Sequence, residues 1–173
     1  MLKRCIVPAD AALSRMSRAM PFEALCEKLV YVDGYNVLIT TDCLLSGHPV
    51  YLCDDGFLRD TRGFFKRSPD SSIASEALAV VLDLLFEARP FCVEILFDQQ
   101  ISRSGELASE ARMQLLKRHL SGSARCLKDV DHQLKICGGI VASSDGNVID
   151  SAGAVVDLPA EIARRKGICP QII

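Results

Sequence analysis

An α/β fold, with a central and mainly parallel sheet covered by helices on both faces, is what this sequence predicts. Three observations carry that expectation. Short apolar runs rich in β-formers alternate with stretches whose apolar residues recur at helical spacing. Such alternation places helical, right-handed crossovers between parallel strands. Hydrophobic residues make up 49% of the 173, which is enough for a sizeable core in one domain of ordinary length. No linker, repeat or low-complexity tract divides the sequence, so 1–173 reads as one domain with 1–28 as an N-terminal helical extension.

Residues 9–28 suggest helix in two pieces, broken at Pro21, whose ring removes a backbone donor. Leu29-Val30-Tyr31-Val32 is a β-forming run that ends at Asp33-Gly34 and leads into a helix. A second strand is expected at 50–53. The polar stretch 54–72 reads as a long loop, and long loops in compact domains are often functional. Helix follows at 73–88, where Ile73, Ala77, Leu78, Val81, Leu82 and Leu85 share a face, Ser72 caps the start and Pro90 ends it. Residues 91–97 form a buried strand that stops at Asp98. Ser104 or Gly105 opens a helix with Leu107, Ala111, Leu115 and Leu116 on one face. A strand at 124–127 precedes a short helix marked by Val130, Leu134 and Cys137 and closed by Gly138-Gly139. Residues 140–143 are a strand leading to Asp145, and 154–156 a last small one. Pro159 then starts a helix through Arg165.

Composition narrows the function classes. Twenty basic against 22 acidic residues give a net charge of −2, so a nucleic-acid partner needs a local basic patch. No apolar run reaches the roughly 20 residues of a membrane helix; 78–86 is interrupted by Asp83. Lys3 and Arg4 resemble the start of a signal peptide, but Pro8, Asp10, Arg15 and Arg18 break any apolar core after them. A soluble cytoplasmic protein without membrane association is expected. The eight cysteines show neither C-x-x-C nor zinc-finger spacing and read as small buried hydrophobes in a reducing compartment. His48, His119 and His132 show no metal or triad spacing. The absence of G-x-G-x-x-G, G-x-x-x-x-G-K-[ST] and G-x-S-x-G removes support for dinucleotide enzymes, P-loop NTPases and α/β-hydrolases.

The positions of the acids are the informative pattern. Asp33, Asp98 and Asp145 each follow a predicted strand. In open α/β sheets the binding crevice lies outside the carboxyl ends of the strands. Neighbouring strands would therefore bring three carboxylates together, with Asp131 and Asp150 placed to join them. Crowded carboxylates repel, and a hard cation such as Mg²⁺ or Mn²⁺ relieves the repulsion. A site of that kind activates water and steadies charge developing on a phosphodiester. Each aspartate taken singly is equally a turn residue or a helix N-cap.

The string Val32-Asp33-Gly34-Tyr35-Asn36-Val37-Leu38 resembles the opening motif of the PIN-like and NYN nuclease superfamily. Leu96-Phe97-Asp98, Asp129-Val130-Asp131 and Val141-Ala142-Ser143-Ser144-Asp145 resemble its later motifs in order, over about 29–156. Asp55-Gly56-x-x-Arg59-Asp60 and Ser102-x-Ser104-Gly105-Glu106-Leu107 resemble an uncharacterised prokaryotic PIN-like branch. The resemblance implies a PIN-like three-layer fold and a metal-dependent ribonuclease. Asp33, Asp131 and Asp145 would then be catalytic metal ligands, Asp98 and Asp150 further ligand candidates, and Asn36 and Ser143 supporting residues. It also implies RNA as partner and a homodimer as an arrangement open to the chain. The acid that many members carry on a middle helix has only Glu76 and Glu110 as stand-ins.

Two further features bear on RNA. Arg59, Arg62, Lys66 and Arg67, interleaved with Phe57, Phe64 and Phe65, could hold a phosphate backbone and stack bases. Tyr35 reads either as a stacking ring or as core. Gly34 permits positive φ and close backbone approach. The competing functional expectation is a catalytically inactive module that binds RNA or protein. A phosphotransferase with Asp33 as nucleophile is less well matched, since Tyr35 stands where a second acid would.

Overall fold

The computed structural model describes residues 5–60 and 71–172, with side chains from Ser75 onward in the second stretch. Arg62, Lys66, Arg67, Phe64 and Phe65 lie outside the described residues. The chain opens with helix α1 (Ala9–Met16) and a 3₁₀ turn (Phe22–Leu25), then β1 (Leu29–Asp33) and α2 (Gly34–Leu45). After β2 (Val50–Leu52) and β3 (Leu58–Asp60) come α3 (Ser71–Ala88), β4 (Cys92–Asp98), α4 (Ser104–Lys117) and β5 (Gly122–Leu127). The remainder is α5 (Val130–Ile136), β6 (Ile140–Ala142), α6 (Gly146–Ile149), β7 (Val155–Val156), α7 (Leu158–Lys166) and β8 (Gln171–Ile172).

The central sheet has five strands in the order β5-β4-β1-β6-β7, and every pairing is parallel. Strands buried on both faces need apolar side chains on both. Leu96 and Phe97 in β4 and Val141 and Ala142 in β6 meet that need, each at most 1% exposed. Helices α2, α3, α4 and α7 pack one face around Val37, Leu78, Leu82, Ala111 and Ile162. Short α5 and α6 cover the other through Val130, Leu134, Val148 and Ile149, with Phe57 among them. The three-layer α/β expectation therefore holds.

The chain winds outward from β1 through β4 to β5, then crosses back to β6 on the other side of β1. Strand order reverses between β1 and β6, and the crevice of a doubly wound sheet lies at that point. Gly34 turns the chain there without positive φ. Its role is close approach: a Cβ would stand 2.5 Å from Phe97 Cε1 and 2.8 Å from the Leu96 carbonyl oxygen.

Three local expectations need correction. Part of 54–72 is strand: β3 pairs antiparallel with β2, and β8 adds in parallel on the other side, giving a separate three-stranded sheet. A tight turn hidden in polar residues makes this hairpin. Gly56 takes φ +79 and donates to the Cys53 carbonyl at 2.8 Å. The N-terminal extension is less helical than expected: its second piece is a single 3₁₀ turn. Ala19 instead bridges to Val155 in parallel, with the Met20 amide donating to the Val155 carbonyl at 2.7 Å, so this segment covers the β7 edge. Phe91 stays outside β4 and is 73% exposed.

Candidate metal-binding cleft

Asp33 ends β1, Asp98 ends β4, and Asp145 caps α6 just beyond β6. These three strands are adjacent in the sheet. Their aspartates line one cleft of about 310 Å³, joined by Asp129 and Asp131 from the start of α5. Asp33 lies deepest at 7% exposure, where its Oδ2 accepts a 2.8 Å hydrogen bond from Ser143 Oγ. Asn36, in the first turn of α2, accepts from the Ser144 amide at 2.8 Å and from Ser144 Oγ at 3.1 Å. Ser143 Oγ in turn accepts from the Asp145 amide at 3.1 Å. The two serines thus clamp the end of β6 against the end of β1.

Electrostatics follow from this crowding. Burial first, and then the charges of Asp131 and Asp145, push the Asp33 carboxyl up to about 7, against the pull of the Ser143 hydroxyl. The Asp131 carboxyl is also raised, by desolvation and next by Asp145, with Lys135 opposing. Asp145 and Asp98 also accept from backbone amides, those of Asn147 and Gln100, at 2.8 Å each. Asp129 caps α5 by accepting from the His132 amide at 2.9 Å. Cap and cleft roles coexist at these positions. Among the described residues, no group of three or more His, Cys, Asp or Glu stands close enough to hold an ion at once. The carboxylates share a cleft, not a preformed coordination shell. As a donor set of hard oxygens in which Asp131 and Asp145 raise the buried Asp33 carboxyl, they fit Mg²⁺ or Mn²⁺ in kind.

The model of the family described as "Domain of unknown function (DUF5616)" matches residues 22–161. The chain belongs to this family. Every aspartate of the cleft falls inside the match. The chain is also similar to "Uncharacterized protein MJ0935" of Methanocaldococcus jannaschii, 35% identical over 136 residues, or 78% of this chain. It spans 64% of that relative's length. No solved structure matches it.

Within the DUF5616 chain, two expected site residues have other employment. Arg59, expected to contact RNA, is 3% exposed, and all three of its guanidinium nitrogens are engaged. Nη1 and Nη2 donate to the two oxygens of Asp55 at 2.7 Å each, and Nε donates to the Ser144 carbonyl at 2.7 Å. Asp150, expected as a ligand, is held by Arg15 at 2.7 and 2.8 Å, and the Arg15 hydrogen bond lowers its carboxyl below the ordinary range. It does not line the cleft. Asp55 is fully buried, yet Arg59 and Arg15 together outweigh that burial and keep its carboxyl low. Phe57 is core, and Tyr35 packs edge-on to Phe97 at 5.4 Å, so neither offers a free stacking face. Glu110 lines a different groove, between α3 and α4, where Ser75 and Gln114 donate to it. Glu76 does not line the cleft.

Lys128, which sequence reasoning passed over, lines the cleft beside the acids. Its only sequence signal was its place just after β5 and before Asp129. No helix among the described residues is long and apolar enough to cross a membrane.

Proposed function

We propose that this DUF5616 chain is a divalent-metal-dependent ribonuclease of PIN-like type. The observation that carries the reading is the meeting of Asp33, Asp98, Asp131 and Asp145 in one cleft at the reversal point of the sheet. The likeness of 32–38 and 141–145 to PIN-like and NYN motifs supports it. Asp33, Asp131 and Asp145 would hold Mg²⁺ or Mn²⁺, with Asp98 at the margin. Bound there, the ion supplies activation of water and neutralisation of phosphodiester charge.

The chain's own residues do the rest. Ser143 orients the Asp33 carboxylate, and Asn36 holds the Ser144 backbone so that Asp145 stays at the rim. Lys128 offers a positive charge to an RNA phosphate entering beside the acids. Asp33, whose carboxyl burial raises to about 7, would have to be deprotonated to hold the ion. The test is cleavage of a labelled single-stranded RNA with Mn²⁺ by the intact chain and by Asp33→Asn. Cleavage that vanishes in the variant supports the reading, and equal cleavage by both overturns it.

A second reading, a silent PIN-like module binding RNA or protein, is favoured by the burial of Arg59 and by the pairing of Asp150 with Arg15 away from the cleft. Calorimetric titration with Mn²⁺ separates the two, because a silent module takes up no heat-detectable ion at millimolar metal.

A further inference from the structure

Behind the cleft lies an ionic network, buried at Asp55 and Arg59 and open to solvent at Asp150, that its acids do not touch. Asp55 sits in the turn between β2 and β3, fully buried, and receives Arg59 through both of its terminal nitrogens. Arg15 from α1 adds a third bond to Asp55 at 3.0 Å and pairs bidentately with Asp150 at the end of α6. Gly146 leaves the room for this, since a Cβ there would stand 2.7 Å from Arg15 Nη2. Two arginines and two aspartates balance. A buried ion pair is weak support for stability by itself, because desolvation offsets the attraction. Its presence calls for a different reason, and an Arg59 bond that leaves the network toward the cleft supplies it.

That bond runs from Arg59 Nε to the Ser144 carbonyl. The amide and hydroxyl of the same residue hold Asn36, and its neighbours on either side are Ser143 and Asp145. Ser144 is therefore fixed on one side by Arg59 and on the other by Asn36. We propose that Arg59 is a positioning residue of the acidic cleft. Locked by Asp55, it sets the backbone that aims Ser143 at Asp33 and places Asp145 at the rim. Arg15 holds Asp55 from α1, outside the 22–161 family match. The inference rests on the metal-site reading given above.

The geometry selects the discriminating variant. Arg59→Lys retains a cation for Asp55 but lacks the planar fork that reaches two carboxylate oxygens and a carbonyl together. The measurement is Mn²⁺ affinity by calorimetry on the full chain, below the thermal unfolding range of each variant, with RNA cleavage followed against Mn²⁺ concentration. Loss of an outer-shell partner weakens metal binding by about 10–100-fold. Arg59→Lys is expected to raise the Mn²⁺ Kd by at least about tenfold while the chain stays folded by circular dichroism. Cleavage should return at high Mn²⁺. Where Arg59→Lys does not fold, the charge-neutral pair Asp55→Asn/Arg59→Gln is judged by the same criterion.

A folded variant that melts lower but binds Mn²⁺ as the wild type does overturns the positioning role and leaves a purely structural one. Asp33→Asn run in parallel separates the two claims. If it too binds Mn²⁺ like the wild type, the metal-site reading falls and the positioning role with it. If it loses Mn²⁺ while Arg59→Lys does not, the positioning role alone falls.

Discussion

Replacing Asp33 with Asn should stabilise the metal-free protein at alkaline pH, although it removes the acid at the centre of the cleft. Burial and two neighbouring carboxylates raise this carboxyl from 3.8 to about 7 in the folded chain. A group whose folded value is raised binds more protons folded than unfolded between those two limits. Stability therefore falls as pH rises from about 4 to about 7 and stays low above. The difference of about 3 units corresponds to about 4 kcal/mol as an upper figure. Asparagine carries no charge to desolvate or repel, and its carbonyl oxygen can still accept from Ser143 Oγ. Some of the gain is lost to imperfect fit, so about 2–4 kcal/mol at pH 8 is the expectation. For a domain of this size that raises the melting temperature by on the order of 10 °C. The assay is thermal or urea unfolding of both proteins in chelator across pH 4–9. The gap should open through the window from pH 4 to 7 and plateau above. Added Mn²⁺ should then stabilise only the wild type. A variant less stable than wild type by a constant amount at every pH would refute the reasoning, because it would mean Asp33 is an ordinary ionised structural residue.

Other outcomes follow from the same geometry. Mn²⁺ must displace the Asp33 proton, so calorimetric affinity should fall about tenfold for each pH unit below about 7 and level off above it. Gly34→Ala drives a methyl group to 2.5 Å from Phe97 and 2.8 Å from a backbone oxygen. It should cost about 2 kcal/mol or more in urea unfolding, since the backbone oxygen cannot swing away. Arg15→Ala removes one of the two arginine partners of fully buried Asp55 and the bidentate partner of Asp150. It should lower stability by about 1–3 kcal/mol in the same assay, and Asp150→Asn by less, because that carboxylate is 47% exposed.

The layered fold and most of its elements were legible in the primary structure because burial on both sides of a strand leaves a mark that local pattern can read. Leu96 and Phe97 sit next to each other and are both apolar since both sheet faces are covered. The same applies to the four-residue spacing along α3. The acids at strand ends were legible too, because parallel strands bring their carboxyl ends to one edge whatever their order. Their adjacency was not written locally: it needed β4, β1 and β6 to be neighbours, which pairing across the whole chain decides.

Asp55 and Arg59 mark the limit. Four residues apart in a polar stretch, they carry the composition of a solvated, phosphate-binding loop, and that is the role the sequence suggested for Arg59. Only the tertiary structure shows the turn buried, with Arg15 arriving from 40 residues away and Ser144 from 85 away. A charge at the surface and a charge spent inside an ion network are the same letter in a sequence. Which one it becomes depends on what long-range packing sets beside it, and for this chain that packing turned an expected RNA contact into a buried partner of Asp55 and the Ser144 carbonyl.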